Sequence, residues 1–165
     1  MGKICSGFGH SEILYHDNDI AAIEKIMRFL IETQDVDTFY SGGRGRFDRC
    51  FALTAARLKS EYPRINNVLI LSYRPSKSKT DSVDFPKIYD YTLYLLEEPC
   101  YQRYAITKTN RLIAEKSDFL IAGVVFEYGG AYQACKHAKG RGIPIFNIFH
   151  DINSIFPLPD IVQSD

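Results

Sequence analysis

Short apolar runs alternate with longer amphipathic patterns along most of this 165-residue chain. The runs are short enough for strands, and the longer patterns have the spacing of helices with one apolar face. Strands that alternate with helices predict a parallel sheet with helices on both faces. We therefore expect an α/β fold, a Rossmann-like three-layer α/β/α sandwich with a mostly parallel sheet of about five strands.

The predicted elements follow one another without an internal repeat. The predicted strands are residues 3–8, 36–41, 67–72, 119–125 and 144–149, and the predicted helices are 19–34, 47–62, 103–117 and 130–142. The pattern is less regular after the third strand, where RPSKSKTDS (74–82) predicts a loop and YDYTLYLLEEP (89–99) is compatible with a short edge strand. We expect a single domain over residues 1–150 and a C-terminal tail over 151–165.

Charge and cysteine content disfavour several classes of function. Lys and Arg number 20, as do Asp and Glu, so the net charge is zero, whereas a nonspecific duplex-DNA binder usually carries a basic excess. The four cysteines form no CxxC pair, which is typical of reduced thiols in a cytoplasmic protein. No apolar stretch approaches the roughly 20 residues of a membrane-spanning helix. We expect a cytoplasmic protein with no membrane partner, no metal and no cofactor.

Glycines follow three of the predicted strands, at the points where the chain enters a helix. The segments are GFGHSEI (7–13), SGGRGRFD (41–48) and FEYGGAY (126–132). The carboxyl ends of parallel strands lie at one edge of the sheet, where Rossmann-like proteins bind ligands. Glycine lets an anion approach the main-chain N–H groups that the first turn of a helix leaves unpaired. Together the three loops predict a site for a phosphate or a nucleotide.

Polar side chains beside these glycines are candidates for ligand binding. Arg44 and Arg46 lie within the second loop, and guanidinium donors match phosphate oxygens. Ser41, at the end of the second strand, is a further candidate for ligand binding. His10, in the first loop, either acts as a general acid near neutral pH or hydrogen-bonds within the loop.

A second group of candidates lies on the third predicted helix. Asn110 suits a sugar hydroxyl or the edge of a base. Arg111 either closes on a phosphate group or pairs with Glu115, four residues further along the same helix. The spacing alone does not decide between these two roles of Arg111.

Four segments occur in the order and spacing of the SLOG superfamily and resemble its small bacterial and phage members of the DUF1273, or YpsA-like, type. They are GFGHSEI, YSGGRGRFDRCFALTAARLKSEYP, RYAITKTNRLIAEKSDFLIAG and YGGAYQACKHAKGRGIPIFNI. The resemblance covers residues 3–148 and implies a Rossmann-like fold related to DprA and to the LOG phosphoribohydrolases. It also implies a homo-oligomer (dimer or tetramer) and a ligand site formed by Gly9, His10, Gly42, Gly43, Asn110, Arg111, Gly129 and Gly130.

The resemblance implies that the chain binds a nucleotide or a nucleotide-derived signalling molecule. It would act as a sensor or, in a phage, as a sponge that sequesters an antiphage-defence messenger such as an ADP-ribose or cyclic-nucleotide signal. One alternative is an enzyme that acts on an N-glycosidic bond, as a LOG-like phosphoribohydrolase or a deoxyribosyltransferase would. The other is DprA-like binding of single-stranded nucleic acid, which requires a basic groove with interleaved aromatic residues. Because the net charge of the chain is zero, we do not expect nucleic acid as a partner.

The chain departs from the family pattern at two places. Many relatives have small or hydrophobic residues at the positions of Arg44 and Arg46, so a more highly charged ligand is implied here. The LOG hydrolases carry a glutamate within a PGGxGTxxE motif, whereas YGGAYQAC has no acid after its glycines. Glu127 precedes those glycines and is, with Glu12, the candidate catalytic carboxylate of an enzyme. We expect binding rather than catalysis.

Overall fold

The computed structural model describes residues 2–74, 87–150 and 155–163. Its strands are β1 (Lys3–Gly9), β2 (Val36–Ser41), β3 (Asn66–Leu71), β4 (Tyr91–Tyr94), β5 (Phe119–Gly123) and β6 (Ile145–Asn147). Its helices are α1 (Asp17–Thr33), α2 (Arg46–Leu58), α3 (Gln102–Lys116), α4 (Gly130–Gly140) and the short α5 (Asp160–Gln163). The strands form one sheet in the order β4-β3-β2-β1-β5-β6, and all five pairings between them are parallel.

The sheet has six strands rather than about five, because the weakly alternating segment at 89–99 contains β4. This strand is only four residues long, lies at the edge of the sheet and is partly exposed. It therefore lacks the continuous apolar run that marks a strand covered on both faces. The other predicted elements are present, with bounds that agree to within about one helical turn of 3.6 residues. The loop predicted at 74–82 lies, after its first residue, outside the described residues.

Apolar side chains are buried on both faces of the sheet, which gives the fold three layers. The cluster on one face joins α1 and α2 to the strands and includes Ile23, Met27, Phe39, Phe47 and Phe51. The cluster on the other face joins α3 and α4 to the strands and includes Phe8, Ile113, Leu120, Ala134 and Cys135. Neighbouring residues of β5 enter opposite clusters, as the alternation of side chains along a strand requires.

Two phenylalanines of α2 occupy the space beside glycines of the central strands. A Cβ atom built on Gly7 would lie 2.5 Å from the Phe51 ring, and one on Gly123 would lie 2.8 Å from the Phe47 ring. A Cβ atom on Gly9 would overlap the Phe47 ring outright. These glycines allow α2 to pack close against β1 and β5, so the absence of their side chains is explained by packing.

The segment after residue 150 contributes to the second cluster. Phe156 is 4% exposed, and its ring centroid lies 6.1 Å from that of Tyr132 on α4. Residues 151–154 lie outside the described ones. The region expected to form a tail therefore includes a side chain that packs in the core.

The order of the strands determines where a ligand can bind. The chain runs outward from β1 through β2 and β3 to β4, then crosses over to β5 on the other side of β1. The connections after β1 and β5 therefore leave in different directions and open a crevice at the carboxyl edge, the topological switch point of such sheets. Within the described ranges, no helix is long and apolar enough to cross a membrane.

Candidate functional site

A cavity of about 230 Å³ lies at the switch point, and all three glycine loops line it. Gly9 ends β1, Gly42 and Gly45 lie in the loop after β2, and Gly129 lies in the loop after β5. The other lining residues include His10, Glu12, Arg44, Asp48, Asn110, Tyr128 and Gly130. The structure thus brings the three predicted loops together around one space.

The first turn of α4 faces this cavity without a capping side chain. Its N-cap residue is Gly129, with φ of +93°, a conformation that L side chains rarely adopt. No side chain in the described part of the chain caps this turn, and the turn contains no acidic residue. The first main-chain N–H groups of a helix have no partner within the helix, so this turn offers donors to a ligand.

A buried asparagine fixes the start of the loop that leads to α4. Asn147, at the end of β6, is fully buried, and its Oδ1 accepts a hydrogen bond from the Val124 N–H at 3.1 Å. Its Nδ2 donates to the Val124 carbonyl oxygen at 2.8 Å. These two bonds anchor the first residue after β5. The alternating apolar pattern of the strand gave no signal for this role.

His10 points a ring N–H toward the same turn. The ring is buried, and its Nε2 accepts a hydrogen bond from the Phe126 N–H at 3.1 Å. The proton of the neutral ring therefore sits on Nδ1, which lies 4.0 Å from a Cβ atom built on Gly129. Burial lowers the pKa of His10, and the nearby charge of Glu12 opposes that shift in part. The neutral ring is a donor to the cavity.

Two exposed aromatic rings stand beside His10. Phe126 and Tyr128 are 42% and 59% exposed, and their rings stack 5.2 Å apart at an interplanar angle of 13°. The His10 ring lies 5.2 Å from Phe126 and 6.3 Å from Tyr128. Their exposure comes from the tertiary structure, and no pattern in the sequence marks them as site residues. They form a flat apolar surface at the mouth of the cavity.

The loop after β2 differs from the prediction, because a carboxylate of this chain already binds its main-chain donors. Asp48 lies in the first turn of α2, and its Oδ2 accepts a hydrogen bond from the Arg44 N–H at 2.9 Å. Burial raises the pKa of Asp48, while hydrogen bonds from the Arg44 and Gly45 N–H groups oppose that change. An acid three residues after a helix N-cap is a capping signal that could have been found in the sequence. This loop is therefore less suited to binding an anion than the first turn of α4 is.

The remaining residues of that loop have separate positions. Arg44 is exposed at the rim of the cavity, and its guanidinium lies 5.4 Å from the centre of the Tyr73 ring. Gly43 has φ of +66°, so the turn itself requires glycine there. Ser41 is buried at the end of β2, and Arg46 is exposed on the first turn of α2. Neither Ser41, Gly43 nor Arg46 lines the cavity.

The candidate residues on and near α3 and α4 also lie in different places. Asn110 lines the cavity, and Arg111 lines an adjoining groove. Glu115 bonds to the His137 ring at 2.9 Å, and among the ion pairs of the described residues none joins Arg111 to Glu115. Glu127 is exposed and lies outside the lining, whereas Glu12 is within it. Over the described residues, no three His, Cys, Asp or Glu side chains are grouped to hold a metal ion.

The pH dependence of stability is expected to report the protonation state of His10. Because the folded structure lowers the pKa of His10, the protonated ring is favoured in the unfolded chain. The contribution of His10 is therefore complete above the unfolded pKa of about 6.5 and is lost as the pH falls through the folded pKa. We expect His10→Gln to reduce the fall in melting temperature between about pH 7.5 and about pH 5.5.

The comparison with the parent protein isolates His10, because the ion pair of His137 with Glu115 is present in both proteins. Glutamine keeps an oxygen that can accept the Phe126 N–H, so the variant should fold. An equal fall in melting temperature for the two proteins would show that His10 is not held neutral by its surroundings.

Comparison with known proteins finds similar folds. No protein-family model matches the chain, and no curated protein matches it. The DNA-processing protein DprA of Streptococcus pneumoniae superposes with a TM-score of 0.62 at 16% identity, over 88% of this chain and 50% of that one. The molybdenum cofactor binding protein of Rippkaea orientalis superposes with a TM-score of 0.58 at 14% identity, over 99% of this chain and 97% of that one. DprA of Helicobacter pylori, studied for its single-stranded DNA binding mode, superposes with a TM-score of 0.59 at 11% identity. The superposition covers 99% of this chain and 80% of that one.

The chain spans half the length of the Streptococcus pneumoniae protein and nearly all of the Rippkaea orientalis one. At these identities the likeness concerns the path of the backbone. The chain therefore has a Rossmann-like α/β fold similar to those of DprA and the molybdenum cofactor binding protein.

Proposed function

We propose that this chain binds a nucleotide or a nucleotide-derived signalling molecule, with a phosphate group on the first turn of α4. The observation that carries the proposal is the uncapped N-terminus of α4, which opens into a cavity at the switch point. A phosphate there would receive main-chain N–H donors and the Nδ1–H of His10. By contrast, the first turn of α2 carries the acidic Asp48, whose carboxylate already accepts the Arg44 N–H of the loop before it. The anion is therefore assigned to α4 and not to the loop after β2.

The surroundings of this turn suit the rest of a nucleotide. The stacked rings of Phe126 and Tyr128 offer a flat surface for a heterocycle at the mouth of the cavity. Asn110 lines the cavity and would offer its amide to the ribose, and Arg44 adds a positive charge at the rim. The four segments quoted above support the YpsA-like type and a role as a sensor or a messenger-sequestering sponge.

Binding of AMP and of adenosine separates phosphate recognition from recognition of the base. Calorimetry should show that AMP binds more tightly by about 10- to 150-fold, since a hydrogen bond to a charged group contributes roughly 1.5–3 kcal/mol. The AMP recovered after denaturation of the complex should be intact. Equal affinity for the two compounds would contradict the phosphate site, and released adenine would favour the N-glycosidic-bond enzyme, for which Glu12 lines the cavity.

A second candidate function is the binding of single-stranded nucleic acid. The observation that favours it is a set of arginines whose guanidinium groups lie over tyrosine rings: Arg44 over Tyr73 at 5.4 Å, Arg74 over Tyr94 at 5.1 Å and Arg103 over Tyr104 at 4.7 Å. Tyr73, Arg74 and Tyr94 line a groove of about 590 Å³ beside the ends of β3 and β4. Bases stack on such rings, and Arg contributes cation–π contacts.

This arrangement removes the main reason for excluding nucleic acid, because a zero net charge does not describe a local surface. The similarity to DprA gives no support to that exclusion either. Glu97 and Glu98 also line the groove and oppose a polyanion, so this function ranks second. A fluorescent oligothymidylate that binds with a steep salt dependence and is not displaced by AMP would favour it.

A further inference from the structure

The proposed phosphate cavity adjoins a second, larger space. A groove of about 480 Å³ lies between α3 and α4 and shares Asn110, Gly129 and Gly130 with the cavity. Pockets for small ligands usually hold about 300–1,000 Å³, so the first cavity of about 230 Å³ is small for a whole nucleotide. A ligand that fills both spaces would pass across the first turn of α4.

The groove is lined by unneutralised positive charge. Arg111 on α3 and Lys136 on α4 line it, and neither has an ion-pair partner within residues 2–74, 87–150 and 155–163. Glu115, the nearest acid along α3 in sequence, is bonded to His137 at 2.9 Å. Among the residues that the structure describes, no Asp or Glu lines the groove. Two free cations and no acid indicate a place for a second anionic group.

The residue between the two spaces is polar and free to bind. Asn110 is half-buried, and its side chain makes no hydrogen bond with any described residue. Its Nδ2 would lie 3.6 Å from a Cβ atom built on Gly130, at the start of α4. An amide in this position can donate to, and accept from, the sugar that joins two phosphate groups.

We propose that the ligand carries two separate phosphate groups, as a dinucleotide does, with the first on α4 and the second held by Arg111 and Lys136. The proposal rests on the proposed function, because it extends the same site. It assigns Arg111 to phosphate binding and not to an ion pair with Glu115. It also explains why the cavity at the switch point is open toward α3.

The test compares AMP with the linear dinucleotide pApA, whose second phosphate lies one nucleoside further along. Calorimetry with the parent protein should show pApA binding at least about tenfold more tightly than AMP. The double variant Arg111→Ala/Lys136→Ala should lower the affinity for pApA to about that for AMP and leave the affinity for AMP within about twofold. Arg111→Lys in place of Arg111→Ala should restore part of the loss, since the charge is kept.

Lys108→Ala is the matched control, because Lys108 is an exposed cation of α3 that lines neither space. Its affinities for both compounds should equal those of the parent protein. If AMP binds and pApA binds no more tightly, the second subsite is refuted and the proposed function stands. An equal loss of AMP and pApA affinity in the double variant would also refute it. If neither compound binds, both proposals fail.

Discussion

Replacing Gly130 with alanine is expected to weaken AMP binding by at least about tenfold without unfolding the protein. Gly130 is the first residue of α4, and its missing side chain lies in the space that the cavity and the groove share. An added Cβ atom would stand 3.6 Å from Asn110 Nδ2, an ordinary contact that requires no movement of the protein. The methyl group would stand where the phosphate approaches the main-chain N–H groups.

Gly140→Ala provides the matched control for this experiment. Gly140 is the last residue of the same helix, and a Cβ atom there meets nothing within 4 Å. Alanine is favoured over glycine in a helix by up to about 1 kcal/mol, so neither variant should lower the melting temperature. Calorimetry with AMP should separate the two variants. Equal affinities would show that the phosphate does not lie on the first turn of α4.

Phe47→Ala is expected to lower the free energy of unfolding by about 3–5 kcal/mol, the usual cost of removing a large buried aromatic side chain. Phe47 is fully buried, and its ring occupies the space beside Gly9 and Gly123. It also lies 5.4 Å from the Tyr15 ring and 6.2 Å from the Phe51 ring. The space left by the ring is enclosed on several sides and cannot collapse without moving α2.

Leu53→Ala is the control, because Leu53 is on the same helix and is 42% exposed. Substitutions at such surface positions usually change stability by less than about 0.5 kcal/mol. Urea denaturation of the two variants measures both effects. A loss of less than about 1 kcal/mol for Phe47→Ala would mean that α2 does not depend on this ring for its packing.

The fold could be predicted because its strands are short apolar runs that helices separate. β4 was the least predictable strand, because an edge strand of four partly exposed residues has neither an apolar run nor a clear alternation. The ends of elements were less predictable because local tertiary contacts determine them. Asn147, for example, ends β6 while its side chain bonds to Val124 of the neighbouring segment.

The site could be predicted in outline, since all three glycine loops line one cavity. A glycine in a sequence shows that a Cβ atom is absent, but it does not show what fills the space. Beside Gly9 the space holds the Phe47 ring, and beside Gly43 it is Leu69 that would meet a side chain. Beside Gly130 a Cβ atom would make an ordinary contact with Asn110 Nδ2 at 3.6 Å. Only the tertiary packing distinguishes these cases, and the sequence pattern contains no signal for it.

The parallel direction of every strand pairing has a consequence for how a protein of zero net charge attracts an anion. Each strand that leads into a helix places the positive end of that helix's dipole at the same edge of the sheet. These partial charges add to one another in space, although they do not enter the count of ionised side chains. The potential at one face can therefore be positive and guide an approaching anion, while the molecule as a whole is neutral.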